Sequence, residues 1–144
     1  MSEENILVVD DKPENLSLLL EVLKRESYKV RCALKPPMAL KAIQALKPDL
    51  ILLDVSMPEM TGYELCKVIK QNPNHADIPI VFVSAYNESV DRAKAFAIGG
   101  VDYITKPIEV VEVLARIRNH LTLQALKREN CALRAAIDQL QSAR

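Results

Sequence analysis

The sequence is short of cysteine: Cys32, Cys66 and Cys131 are the three it has in 144 residues, and they are widely spaced. Three scattered thiols build neither a disulfide framework nor a cysteine-rich zinc site, and they fit a reducing cytosol. Net charge is missing too. Nineteen Lys plus Arg balance nineteen Asp plus Glu, so no broad field draws the chain toward nucleic acid or an anionic membrane. No segment approaches the ~20 apolar residues that cross a bilayer. The N-terminus, MSEENILVVDD, lacks the basic start and apolar stretch of a secretory signal. What remains is a soluble, cytoplasmic chain, long enough for one ordinary domain and a short appendage.

Nearly half the residues are apolar, 49%, and they come in short runs alternating with amphipathic stretches. Ile6–Val9, Val30–Ala33, Leu50–Leu53, Ile80–Val83 and Asp102–Thr105 read as strands. Helices are expected over about Pro13–Glu26, Pro37–Leu46, Gly62–Gln71 and Ser89–Ile98, and from Glu109 almost to the end. Leu16, Leu19, Leu20 and Leu23 recur at helical spacing, Pro13 suits a first turn, and Gly99-Gly100 suits a helix stop. Strict alternation of strand and helix predicts an α/β fold, a doubly wound parallel sheet with helices on both faces.

One residue breaks the pattern. Five of the six residues in Leu50–Val55 are apolar, and Asp54 is the sixth. A buried carboxylate needs a partner or changes its protonation state. In open parallel sheets ligands sit beyond the carboxyl ends of the strands. Asp10-Asp11, Asp54, Ser84 and Lys106-Pro107 all fall on that rim. Three acids this close repel one another, so a cation must hold them: Lys106, or a hard divalent ion such as Mg²⁺. A partly coordinated metal beside a carboxylate, an ammonium and a hydroxyl is an arrangement for phosphoryl transfer.

The segments LVVDD, ILLDVSMPEMTGYEL, VFVSA and DYITKP together resemble the receiver domain of bacterial response regulators, over residues 5–121. The resemblance implies a five-stranded, flavodoxin-like parallel sheet in the order 2-1-3-4-5. It implies Asp54 as phosphoryl acceptor and Asp10 and Asp11 as the metal-holding pair, Asp11 directly and Asp10 mainly through water. The Ser56 backbone carbonyl would be a further Mg²⁺ ligand. Ser84 matches the switch hydroxyl, Lys106 the phosphoryl-pairing lysine, Pro107 the proline often preceded by a cis bond, and Tyr103 the aromatic that moves with Ser84. The partner would be a sensor histidine kinase or phosphotransfer protein. The chain would be no separate enzyme, catalysing only its own Mg²⁺-dependent phosphorylation and dephosphorylation. Ser56 and Tyr86 occupy positions that vary in the family and help set the phosphoryl lifetime. Pro36-Pro37 departs from its usual pattern and should stiffen the loop before the second helix.

Two other classes fit less well. Haloacid-dehalogenase-type phosphatases need a second Asp two residues after the nucleophile, where this chain has Ser56. A flavodoxin-like cofactor binder would have to accept phosphate at VVDDKPEN, which repels it. His75 and His120 read as surface residues, and Cys66 and Cys131 as inert helix residues.

Beyond the receiver, residues 1–121, the segment 122–144 forms a second unit. Leu126, Leu133 and Leu140 lie seven apart, as do Leu123, Asn130 and Ile137. Placed at positions d and a, they predict a short coiled coil. Leu at d with one Asn at a favours a parallel homodimer in fixed register, with Glu129 at g facing Arg134 at e of the partner chain. The same helix can instead fold back on the receiver or fray. No helix-turn-helix module or clustered basic tail points to direct nucleic-acid binding. The chain reads either as a stand-alone receiver or as part of a longer protein whose coiled coil relays to a cyclase, kinase or phosphodiesterase. A constitutive dimerisation adaptor is the third reading.

Overall fold

The computed structural model describes residues 4–84 and 92–142. Its strands are β1 (Asn5–Val9), β2 (Lys29–Ala33), β3 (Leu50–Asp54), β4 (Ile80–Ser84) and β5 (Gly100–Thr105). They alternate with α1 (Ser17–Arg25), α2 (Pro36–Ala45), α3 (Gly62–Gln71), α4 (Arg92–Ala97) and α5 (Val110–Ser142). Every pairing in the sheet is parallel, and the order is β2-β1-β3-β4-β5, as expected.

The central strands β1, β3 and β4 are buried on both faces, which is why they read as unbroken apolar runs. Successive side chains feed opposite cores. Leu7, Val9, Ile51, Leu53 and Phe82 pack against Ile43 of α2 and Leu65 and Ile69 of α3. Ile6, Val8, Leu52 and Val83 pack against Leu19 and Leu23 of α1 and Ile117 and Leu121 of α5. Each such side chain gains about 1.5–3 kcal/mol on burial, so neither face of the sheet can be left bare.

The boundaries differ from expectation by more than one residue in two places. The segment Pro13–Leu16 is a 3₁₀ turn leading into α1, because its first turn has no side-chain cap and 3₁₀ geometry commonly opens helices. β5 begins at Gly100 rather than Asp102, so Gly99 alone, at φ 110°, turns the chain out of α4. The expected start of that helix at Ser89 lies outside the described residues, as does Tyr86. By contrast α3 has the expected limits. Thr61 caps it, accepting from Glu64 N–H at 3.2 Å while Glu64 Oε1 accepts from Thr61 N–H.

α5 is one unbroken helix of 33 residues. It neither folds back nor stops at residue 121, and from 125 to 142 it is exposed throughout. Among the described residues no helix is long and apolar enough to cross a membrane.

Candidate functional site

β1 and β3 are neighbours, so their carboxyl ends deliver Asp10, Asp11 and Asp54 to one place. One ligand oxygen from each of the three lies within 4.8 Å of the others. Asp54 is the last residue of β3 and is 5% exposed; Asp10, just past β1, is 1% exposed. Local geometry holds both in place. Lys12 N–H donates to Asp10 Oδ1 at 2.8 Å, and Ser56 N–H donates to Asp54 Oδ1 at 3.3 Å. Gly62 lets α3 begin against this corner: a Cβ there would collide with the Asp54 carbonyl oxygen and the Val55 backbone.

Lys106 comes from the end of β5, two strands away from β3. Its Nζ lies 3.5 Å from Asp10 Oδ2, and its backbone N–H donates to the Ser84 carbonyl at 2.7 Å. The Lys106–Pro107 peptide is cis. Ser84 closes β4 with its side chain fully buried. Burial pushes the Asp54 carboxyl up to about 7, and the Asp10 charge adds to it; Lys106 and the Ser56 N–H pull the other way.

Two buried polar atoms of this rim, Asp10 Oδ2 and Ser84 Oγ, have no hydrogen-bond partner among the described residues. Such atoms are costly in a folded core. Hard carboxylate oxygens clustered around one that has only the Lys106 ammonium beside it, at 3.5 Å, suit a hard divalent cation such as Mg²⁺, and the residues present fit that ion.

Tyr103 lies two residues before the end of β5 and is buried. Its hydroxyl shares a 2.7 Å hydrogen bond with that of Tyr63 on α3, and both rings pack on Phe82. Tyr63 is a residue the sequence did not single out; its helical spacing from Cys66 gave no hint of a partner 40 residues away. The expected seam residues Leu123, Leu126, Asn130, Leu133, Ile137 and Leu140 are all exposed on α5. They form no part of the rim.

His120 is no free surface residue. It is half-buried, with Nε2 3.0 Å from Asp102 Oδ2. Arg116 reaches the other oxygen of Asp102 at 2.6 Å. Burial alone would raise the Asp102 carboxyl, but His120, the Tyr103 N–H and Arg116 outweigh it and hold it below the usual range.

The family model for the response regulator receiver domain matches residues 6–118. The transcriptional regulatory protein YvrH of Bacillus subtilis is 39% identical over 122 residues, covering 84% of this chain and 50% of that one. The response regulator PleD of Caulobacter vibrioides is 41% identical over 114 residues, covering 79% of this chain and 25% of that one. This chain therefore spans a quarter to a half of the length of these two relatives. The crystal structure of a putative response regulator from Chloroflexus aurantiacus superposes with a TM-score of 0.78 at 33% identity, covering 84% of this chain and 99% of that one. Sheet order, an acidic rim and the match over most of the sequence agree, and the chain belongs to the response regulator receiver domain family.

Proposed function

We propose that this chain accepts a phosphoryl group on Asp54 from a phosphohistidine of a sensor histidine kinase or phosphotransfer protein. One observation carries the reading: Asp10, Asp11 and Asp54 converge beside Lys106 at the rim of the sheet. In the transfer a P–N bond breaks, a P–O bond forms to an Asp54 carboxylate oxygen, and the imidazole nitrogen keeps the electron pair. Asp10, Asp11, Asp54 and the Ser56 carbonyl would hold Mg²⁺, which supplies positive charge to neutralise phosphoryl oxygens.

The chain's own groups do the rest. The Ser56 N–H orients the Asp54 carboxylate before attack. Lys106 offers its ammonium to a phosphoryl oxygen once Asp54 is modified. Ser84 offers a hydroxyl that has no described partner to give up. Tyr103, two residues before the end of the neighbouring strand β5, follows Ser84 when that hydroxyl is drawn in, and the new charge biases α4 and β5. The chain acts in the cytoplasm and catalyses only its own phosphorylation and dephosphorylation.

Residues 1–121 form the receiver unit and 122–144 a dimerisation unit. Leu123, Leu126, Asn130, Leu133, Ile137 and Leu140 meet the same residues of a second copy in a parallel coiled coil. Their exposure on a helix whose other positions there are small, polar or charged supports the reading.

Incubation with Mg²⁺ and acetyl phosphate tests the chemistry: a species heavier by about 80 Da, one phosphoryl group, should form in the wild type and not in Asp54→Asn. Equal labelling of the two removes Asp54 from its role. Sedimentation at micromolar concentration tests the dimer.

A further inference from the structure

The start of the extension is polar where it meets the receiver. Gln124 is 7% exposed, although it lies past the end of the matched family. Its Nε2 donates to the Asp77 carbonyl at 2.8 Å and to Asp77 Oδ2 at 3.3 Å. One turn on, Arg128 Nη1 lies 3.3 Å from Asp49 Oδ1. Both acids are already braced. Asp49 Oδ2 accepts from the Asn5 N–H at 2.8 Å, and Asp77 Oδ1 accepts from Lys47 Nζ at 2.8 Å. The Asp77 segment is further gathered by Lys70, whose Nζ donates to the Ala76 and Ile78 carbonyls.

On a helix with 3.6 residues per turn, Ile117, Leu121, Gln124 and Arg128 fall within about 60° of one another. Leu126, Asn130, Leu133, Ile137 and Leu140 are centred about 180° away. The receiver thus takes one face of the helix and leaves the other free.

We propose that Asp49 and Asp77 form a clasp on Gln124 and Arg128 that fixes the extension as a rigid continuation of the receiver, with its heptad face turned outward for a second copy. The clasp deepens the dimer reading by naming what sets the direction in which the copies meet. Its two acids stand just before β3 and β4, the strands that end in Asp54 and Ser84. The end of the sheet opposite the acidic rim is therefore where the extension is held.

The pair exposed to solvent, Asp49–Arg128, contributes little alone. The buried amide of Gln124 is the stronger member, since its loss strands the Asp77 carbonyl. Hydrogen exchange on the full chain tests this in the variant Gln124→Ala/Arg128→Ala. Alanine favours helix over glutamine and arginine, so the helix taken alone would exchange more slowly. The clasp predicts the reverse: amides of 122–128 exchange about tenfold faster, the worth of one buried hydrogen bond. Unchanged or slower exchange overturns the proposal.

Spin labels on Lys41 and Asp138 of one chain, diluted with unlabelled chain, give the second readout. A single narrow distance that broadens in the variant supports the clasp; equal widths overturn it. Both measurements decide the clasp whether the chain is monomeric or dimeric. Sedimentation of the same samples reports separately on the coiled coil, so the two readings fail independently.

Discussion

Replacing Asp54 by Asn should make the metal-free protein more stable. The carboxyl is almost fully buried, and burial with the Asp10 charge raises it from 3.8 to about 7. In the unfolded chain the same group loses its proton near its ordinary value. The folded state therefore holds the proton longer. The stability that this one group takes away is nil below about pH 4, grows as pH rises between about 4 and 7, and is greatest above that. At 1.36 kcal/mol for each tenfold change, the full penalty is about 4 kcal/mol. Asn keeps the shape and removes the charge, so it recovers a large part of this, about 2–4 kcal/mol at about pH 8. For a chain of this size that corresponds to a rise of about 5–15 °C in Tm.

Urea unfolding followed by far-UV circular dichroism, with EDTA present, measures it directly. The two proteins should share one m value and differ in midpoint. The gap should be wide at about pH 8 and close at about pH 4. An Asn variant no more stable than the wild type at the higher pH would refute the reasoning. So would a gap independent of pH, which would mean the gain has nothing to do with ionisation.

Three further perturbations follow from the same geometry. Ser84→Ala should change the stability of the unphosphorylated protein by less than about 1 kcal/mol, because the hydroxyl has no described partner to lose; a loss above about 2 kcal/mol in urea unfolding would mean that it has one. Gly62→Ala should cost about 3 kcal/mol in the same assay, since the new Cβ meets backbone of Asp54 and Val55 rather than a side chain that can move away. Asn130→Leu should tighten self-association about tenfold or more while loosening register, so sedimentation should show a stronger and more heterogeneous assembly; unchanged association would place Asn130 outside the seam.

Much of the fold was legible because the elements are local. The apolar runs of β1, β3 and β4 and the limits of α3 depend on residues a few positions apart. The acidic rim was legible because the topology is: once strands one and three are neighbours, Asp10, Asp11 and Asp54 must meet. The contacts that escaped are long in sequence. Tyr63 reaches Tyr103, Gln124 reaches Asp77 and Arg128 reaches Asp49, at separations of 40, 47 and 79 residues. No periodicity encodes such pairs, and His120 was misjudged for the same reason: its partner Asp102 is 18 residues away.

A signal was nonetheless present for one of them. Asp54 drew attention as a polar residue in an apolar strand, and burial forced it to have partners. Gln124 is the same anomaly in a helix. It continues the buried series Ile117 and Leu121, so its amide had to find an acceptor on the receiver, and it does. Asn130 is the third such residue, in the series of Leu123 and Ile137. It differs in facing outward with no core of its own chain beside it. Were the proposed coiled coil to form, Asn130 would be buried in it, and the same rule would make its counterpart on the second copy the partner that satisfies it. The face that would bring the two together is the one the clasp leaves uncovered.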